Sequence, residues 1–220
     1  VPFEVPDVEL MVKLYLGAMT ADGGFQIRRG LKGGRVHKPF GRLVKATGIP
    51  RILRPSIAAV LRMFGEHYQA RLVSATGGLS AKWYWLLIDA MNRYRRQFTR
   101  AMQKQSIDVL LSPSFALPAM LHGDGVDLIP AASYSFLHNL VGGPAGMVPW
   151  STVAEGEESD RERVRDSVVC KAIATETGSV GLPVGVQVAA LPWQEHLVLA
   201  VMRKLEEAIP RSQKEGRSEQ

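Results

Sequence analysis

Residue types that do chemistry are sparse in this sequence, and most of them are unorganised. His37, His67, His122, His138 and His196 are scattered without the short intervals at which imidazoles share an ion, so no metal site and no cofactor is predicted. His138, next to Asn139, reads as a structural residue. The one cysteine, Cys170, lies in the apolar run Val168-Val169-Cys170 and reads as a small buried hydrophobe. It can form no internal disulfide, which is compatible with a reducing compartment. The stretch Gly142-Gly143-Pro144-Ala145-Gly146 is more organised: glycines permit positive φ and close backbone approach while Pro144 stiffens the turn, as suits a pocket wall. On its own it reads as an ordinary turn between a helix and a strand.

The elements that would position such a wall follow from periodicity. Asp7 reads as the N-cap of a helix carrying Val8, Leu10, Met11, Leu14, Tyr15 and Met19, which Asp22-Gly23-Gly24 ends. After the basic loop Gly30 to Gly34, the segment Phe40 to Leu72 reads as two short helices broken at Gly48-Ile49-Pro50 and again by Pro55. Ser74 to Ser80 is a small-residue linker, and Ser80 caps a long helix to about Gln105 that holds Trp83, Trp85, Leu86, Leu87, Met91, Tyr94 and Phe98. Short apolar runs at 109–113, 146–149 and 181–188 read as strands of a sheet covered on both faces. Between them lie a helix near Ser133 to Leu140 and a charged one from about Ser159 to Glu176, and a last helix spans Trp193 to Ile209.

Of 220 residues, 46% are hydrophobic and 22% charged, a globular balance that argues against wholesale disorder. No apolar run approaches the ~18 residues of a spanning helix and no secretory leader is visible, so any membrane contact is expected to be peripheral. The net charge of +6 is unevenly placed. Between Asp22 and Glu66 there is no acid, while Arg28, Arg29, Lys32, Arg35, Lys38, Arg42, Lys45, Arg51, Arg54 and Arg62 all fall there. No nucleic-acid motif accompanies that charge, and no nucleic-acid partner is expected.

Three ordered segments resemble the amidase signature family: Ile107-Asp108-Val109-Leu110-Leu111-Ser112-Pro113; Ser133 to Pro149 with its Asn139, Pro144-Ala145 and Val148-Pro149; and Leu182 to Val188 followed by Ala190-Leu191-Pro192-Trp193-Gln194-Glu195. The last run, together with Ala21-Asp22-Gly23-Gly24, is most similar to the fatty acid amide hydrolase branch. The resemblance implies an α/β fold, a mixed twisted sheet covered by helices. Residues 1–210 would be the C-terminal portion of one amidase domain, with a helical basic cap about 40–72, a sheet-forming portion about 107–190 and a disordered tail at 211–220.

It also implies a serine amidase that cleaves lipid amides of the acylethanolamide type to fatty acid and amine. Carried over residue by residue, Met19, Thr20, Ile27, Leu43, Ala46, Ile129, Ala132, Phe136 and Trp193 would bind the acyl chain. Ile49, Arg51, Ile52, Arg54, Ile57, Leu61 and Phe64 would touch a membrane, in a protein peripheral on an internal membrane inside the cell, and a homodimer is compatible with this. The bland alternative for the cap is a soluble amphipathic pair packed on the core.

The family's chemistry uses two serines and a neutral lysine, with the nucleophile in a Gly-Ser-Ser-Gly-rich loop. Ser74-Ala75-Thr76-Gly77-Gly78-Leu79-Ser80 is the nearest match and lacks the paired serine, while Lys82 and Lys171 match no family lysine. No catalytic residue is therefore assigned, and the chain alone is expected to be inactive. Two other readings stay open: a catalytically inactive lipid- or membrane-binding module, and another family member such as an amidotransferase subunit.

Overall fold

Asp7 opens the first helix as its position predicts, its carboxylate accepting a hydrogen bond from the Leu10 amide at 3.0 Å. This computed structural model describes residues 1–34, 41, 44 and 46–209. The anticipated tail, Leu43 and part of the basic segment (35–40, 42 and 45) lie outside the described residues. In chain order the helices and strands are α1 (Val8–Met19), α2 (Phe25–Gly30), α3 (Arg54–Met63), α4 (His67–Ala75), α5 (Ala81–Lys104), β1 (Val109–Pro113), α6 (Ser133–Val141), β2 (Ala145–Thr152), α7 (Ser167–Glu176), β3 (Pro183–Ala190) and α8 (Glu195–Ala208). Short 3-10 turns precede α3 (Arg51–Leu53) and α6 (Ile129–Ala132).

The main core joins α1, α5 and α6. Met11, Leu14 and Leu16 meet Met91, Tyr94, Phe98 and Met102, which recur on one face of α5, and Phe136, Leu137, Leu140 and Val141 close the third side. Tyr94 donates its hydroxyl to the Pro6 carbonyl (2.7 Å), and burial pushes its phenol up to about 12. Arg95 donates to the Leu140 carbonyl at 2.7 Å, fastening α6 to α5.

The sheet has order β1-β3-β2, with β3 antiparallel to both neighbours. Its register slips between Pro149 and Ser151, where Pro149 has no N–H to give the ladder. One face, bearing Val109, Val188 and Ala190, packs on Val198, Val201, Met202 and Leu205 of α8. On the other, Leu110 joins the main core. Helices do not cover the full strand length, however: Leu111 and Met147 stay exposed, so the expectation of strands buried on both faces holds only for their inner ends.

Several local expectations change. Pro55 does not break a helix but stands in the first turn of α3, where its missing N–H is no loss; the break comes at Gly65, whose φ of 84° few other residues adopt. The charged helix begins at Ser167, not Ser159, because Glu176 binds Ser159 Oγ (2.6 Å) and Arg161 Nε (2.7 Å) and so holds 159–161 as a strap against the helix. Cys170 is exposed, since α7 buries Val168, Ala172, Thr175 and Glu176, a stripe that excludes it. Trp83, Tyr84, Trp85 and Leu86 are exposed as well. Four consecutive apolar residues wrap round a helix and cannot all share one face.

Candidate functional site

An apolar hollow of about 670 Å³ lies where α1, α3, α4, α6 and the 126–129 segment meet. Its construction starts at the end of α1. Thr20 donates its hydroxyl to the Leu16 carbonyl (2.7 Å) and accepts the Gly77 amide (2.7 Å), tying the end of α1 to the linker after α4. The Asp22 carboxylate then accepts from the Gly24 and Gln26 amides at 2.7 and 2.9 Å. The Gln26 amide foremost holds this acid below its ordinary range. Gly24 has φ 80°, and a Cβ there would stand 2.3 Å from Thr47 Oγ1. That close approach brings Ala46 and Thr47 against the hollow.

Six of the nine residues expected to bind an acyl chain line this one cavity: Met19, Thr20, Ile27, Ala46, Ile129 and Phe136. Phe136 stacks on Tyr15 with ring centroids 4.3 Å apart, so the pair forms the wall between α6 and α1. Ala132 is half-buried in the main core beside it but does not line it. Leu43 lies outside the described residues. Trp193 is 89% exposed, on the turn before α8, and is not part of this wall. The residues that sequence reasoning missed include Tyr15, Leu72 and Val73 from the apolar faces of α1 and α4, and the polar Glu66, Gln69, Asp127 and Ser167. For Tyr15 the signal was present, since it lies four residues before Met19 and so shares its face of α1.

The residues expected to touch a membrane divide. Ile52 and Phe64 point outward, joined by Leu53, Val60 and Met63; Arg51 is exposed and stands 4.3 Å over the Trp83 ring. Ile49, Ile57 and Leu61 are half-buried, and Leu61 lines the cavity from α3. Arg54 is a correction. It is 7% exposed, its Nε and Nη2 both donating to the Ile49 carbonyl at 3.0 and 2.6 Å, and this burial lowers its pKa. No helix among the described residues is long and apolar enough to cross a membrane.

Lys171 cannot act as a neutral base. Its Nζ donates to Asp124 (2.5 Å) and Asp127 (2.7 Å), and these bonds raise its pKa above the ordinary lysine value, keeping it charged. Ser74 donates back to the Ala70 carbonyl (2.8 Å), and Ser135 to the Ser114 carbonyl (2.8 Å). Among the described residues no group of three or more His, Cys, Asp or Glu side chains could hold a metal ion.

The pattern of the Amidase family matches residues 1–199. The chain is 33% identical over 200 residues to fatty-acid amide hydrolase 1 of Sus scrofa, covering 88% of this chain and 34% of that protein. It is 29% identical over 216 residues to fatty acid amide hydrolase 1 of Caenorhabditis elegans, covering 95% and 37%. A solved structure of a fatty acid amide hydrolase superposes with TM-score 0.67 at 15% identity, over 94% of this chain and 33% of that one. The chain thus spans about a third of the length of the relatives it matches. Its fold is the amidase signature fold, α/β with helices packed on a small antiparallel sheet, and the chain belongs to the amidase signature family.

Proposed function

We propose that this chain supplies the acyl-tail cavity and the membrane-facing cap of an amide hydrolase that acts on fatty acid amides, acylethanolamides among them, and releases fatty acid and amine. The observation that carries this reading is the meeting of Met19, Thr20, Ile27, Ala46, Ile129 and Phe136, drawn from five separate segments, around one apolar hollow. Its volume lies within the range of small-molecule sites. Burial of each methylene of a fatty chain contributes about 0.8 kcal/mol, so a wall of this kind favours long acyl groups. The amide bond itself would be broken by the family's two serines and lysine. Lys171 is held charged between two acids and is unsuited to the base's role, and on this reading the isolated chain binds lipid amides without hydrolysing them.

The test is displacement of a fluorescent fatty acyl probe from the purified chain by oleoyl amide. Ile129→Glu, which sets a carboxylate into the apolar wall, is expected to weaken oleoyl amide at least tenfold, with far-UV circular dichroism unchanged. Equal affinity in the two proteins refutes the assignment of this cavity.

A peripheral position on a membrane is supported by the outward Ile52, Leu53, Met63 and Phe64 beside Arg51 and Arg62, a pairing of apolar and basic surface suited to anionic lipid. In pelleting with vesicles containing phosphatidylserine, Ile52→Asp with Met63→Asp should lower the bound fraction several-fold. An unchanged fraction refutes the cap's role. Arg54→Glu belongs to a different class, because Arg54 is buried and its loss should reduce stability.

A further inference from the structure

Two of the cavity's walls, α4 and the 126–129 segment, are separated in the sequence by α5 and β1, yet both are tied to the short helix α7. At its first turn, α7 and α4 cap each other. Glu66, at the N-cap of α4, accepts from the Ser167 amide (3.1 Å) and the Ser167 hydroxyl (2.6 Å). Asp166, at the N-cap of α7, accepts from the Val168 amide (2.9 Å) and, across the junction, from the Tyr68 amide (3.1 Å). Each carboxylate thus satisfies an N–H group that the start of the other helix leaves unpaired, and Asp166 does so for its own helix as well. The two backbones are in close contact: a Cβ on Gly65 would lie 2.4 Å from the Arg165 carbonyl oxygen. About one turn further on, Lys171 reaches the other wall through Asp124 and Asp127, and Asp127 itself lines the cavity beside Val126 and Ile129.

Resting on the function proposed above, we infer that α7 is a strut that sets the cavity's width, and that Asp166 and Lys171 are positioning residues through which the chain selects acyl length. They hold the walls; the acyl chain itself touches apolar side chains. In a cavity of fixed size, affinity for a homologous amide series rises about fourfold per methylene until the space is filled, then levels off. Releasing one end of the strut lets the walls part and moves that break.

The experiment measures displacement of the acyl probe by saturated primary amides from eight to twenty carbons, on the full chain. The wild type should show a break. Lys171→Met should move it by two carbons or more, and Lys171→Arg, which keeps a cation between Asp124 and Asp127, should restore it. Should Lys171→Met fail to fold, Asp166→Asn, which cannot accept both amide hydrogens as a carboxylate does, tests the other end of the strut. A residue that only stabilises the fold would weaken every amide by one factor and leave the break in place, and that result overturns the strut. Wild type with no dependence on chain length would instead overturn the acyl-cavity reading.

Discussion

Phe136→Ala is expected to lower the unfolding free energy of this chain by about 3 kcal/mol or more, the usual cost of removing a buried phenylalanine ring. Phe136 is buried in the core shared by α1, α5 and α6, stacks on Tyr15 with an interplanar angle of 17°, and forms one wall of the apolar cavity. Three contributions act together: apolar area returned to water, loss of an aromatic pair contributing about 0.5–1.5 kcal/mol, and a void that opens into a space already present. Because that void joins an existing hollow, collapse of the neighbours cannot refill it. Phe136→Leu should cost less than half as much. Urea denaturation followed by circular dichroism reads both changes, and a cost below about 1 kcal/mol for the alanine variant would mean that the α1–α6 contact carries little of the fold.

The second large effect is one of acidity. His138 is buried on α6, and burial lowers its pKa to about 4. In the unfolded chain the imidazole titrates near pH 6.5. Above that value it is neutral in both states and contributes no pH dependence. As pH falls from about 6.5 to about 4, the unfolded state binds a proton that the folded state refuses, so stability is lost, by about 3 kcal/mol at the lower end. His138→Gln should remove that slope. The difference between the two proteins, followed by chemical denaturation at pH 7, 6, 5 and 4, isolates this group from carboxylates that titrate in the same range. Parallel curves would show that His138 takes up its proton within the folded protein.

Much of the fold is legible in the sequence where one element decides its own course. Asp7 caps α1, the spacing of Met91, Tyr94 and Phe98 makes the buried face of α5, and the run 109–113 is β1, each where local pattern places it. What was not legible depends on distant partners. The strap at 159–161 is set by Glu176, and the exposure of Cys170 by which face of α7 meets Leu128 and Leu117. The inward turn of Arg54 depends on the free carbonyl of Ile49 and the room beside Gly77, where a Cβ would overlap the guanidinium. A basic residue in a basic segment gives no local sign of such burial.

The cavity divides in the same way. Its apolar members came from the resemblance alone, since nothing in their spacing joins Met19 to Ile129. Its polar junction, Glu66 with Ser167 and Lys171 with two aspartates, spans residues too far apart for any periodic pattern to link. Glu66 also ends the acid-free window of the basic segment, and its carboxylate ties that segment to Ser167 at the start of α7.

The most direct test is to expose the chain to an oleoyl amide bearing a diazirine near the middle of its tail, irradiate, and map the labelled residues by mass spectrometry. Labels on Met19, Ile27, Ile129 or Phe136, suppressed by excess unlabelled amide, are the predicted result. Labels that excess amide does not suppress, or that fall only on the outer surface at Met63, Trp85 or Trp193, would contradict it.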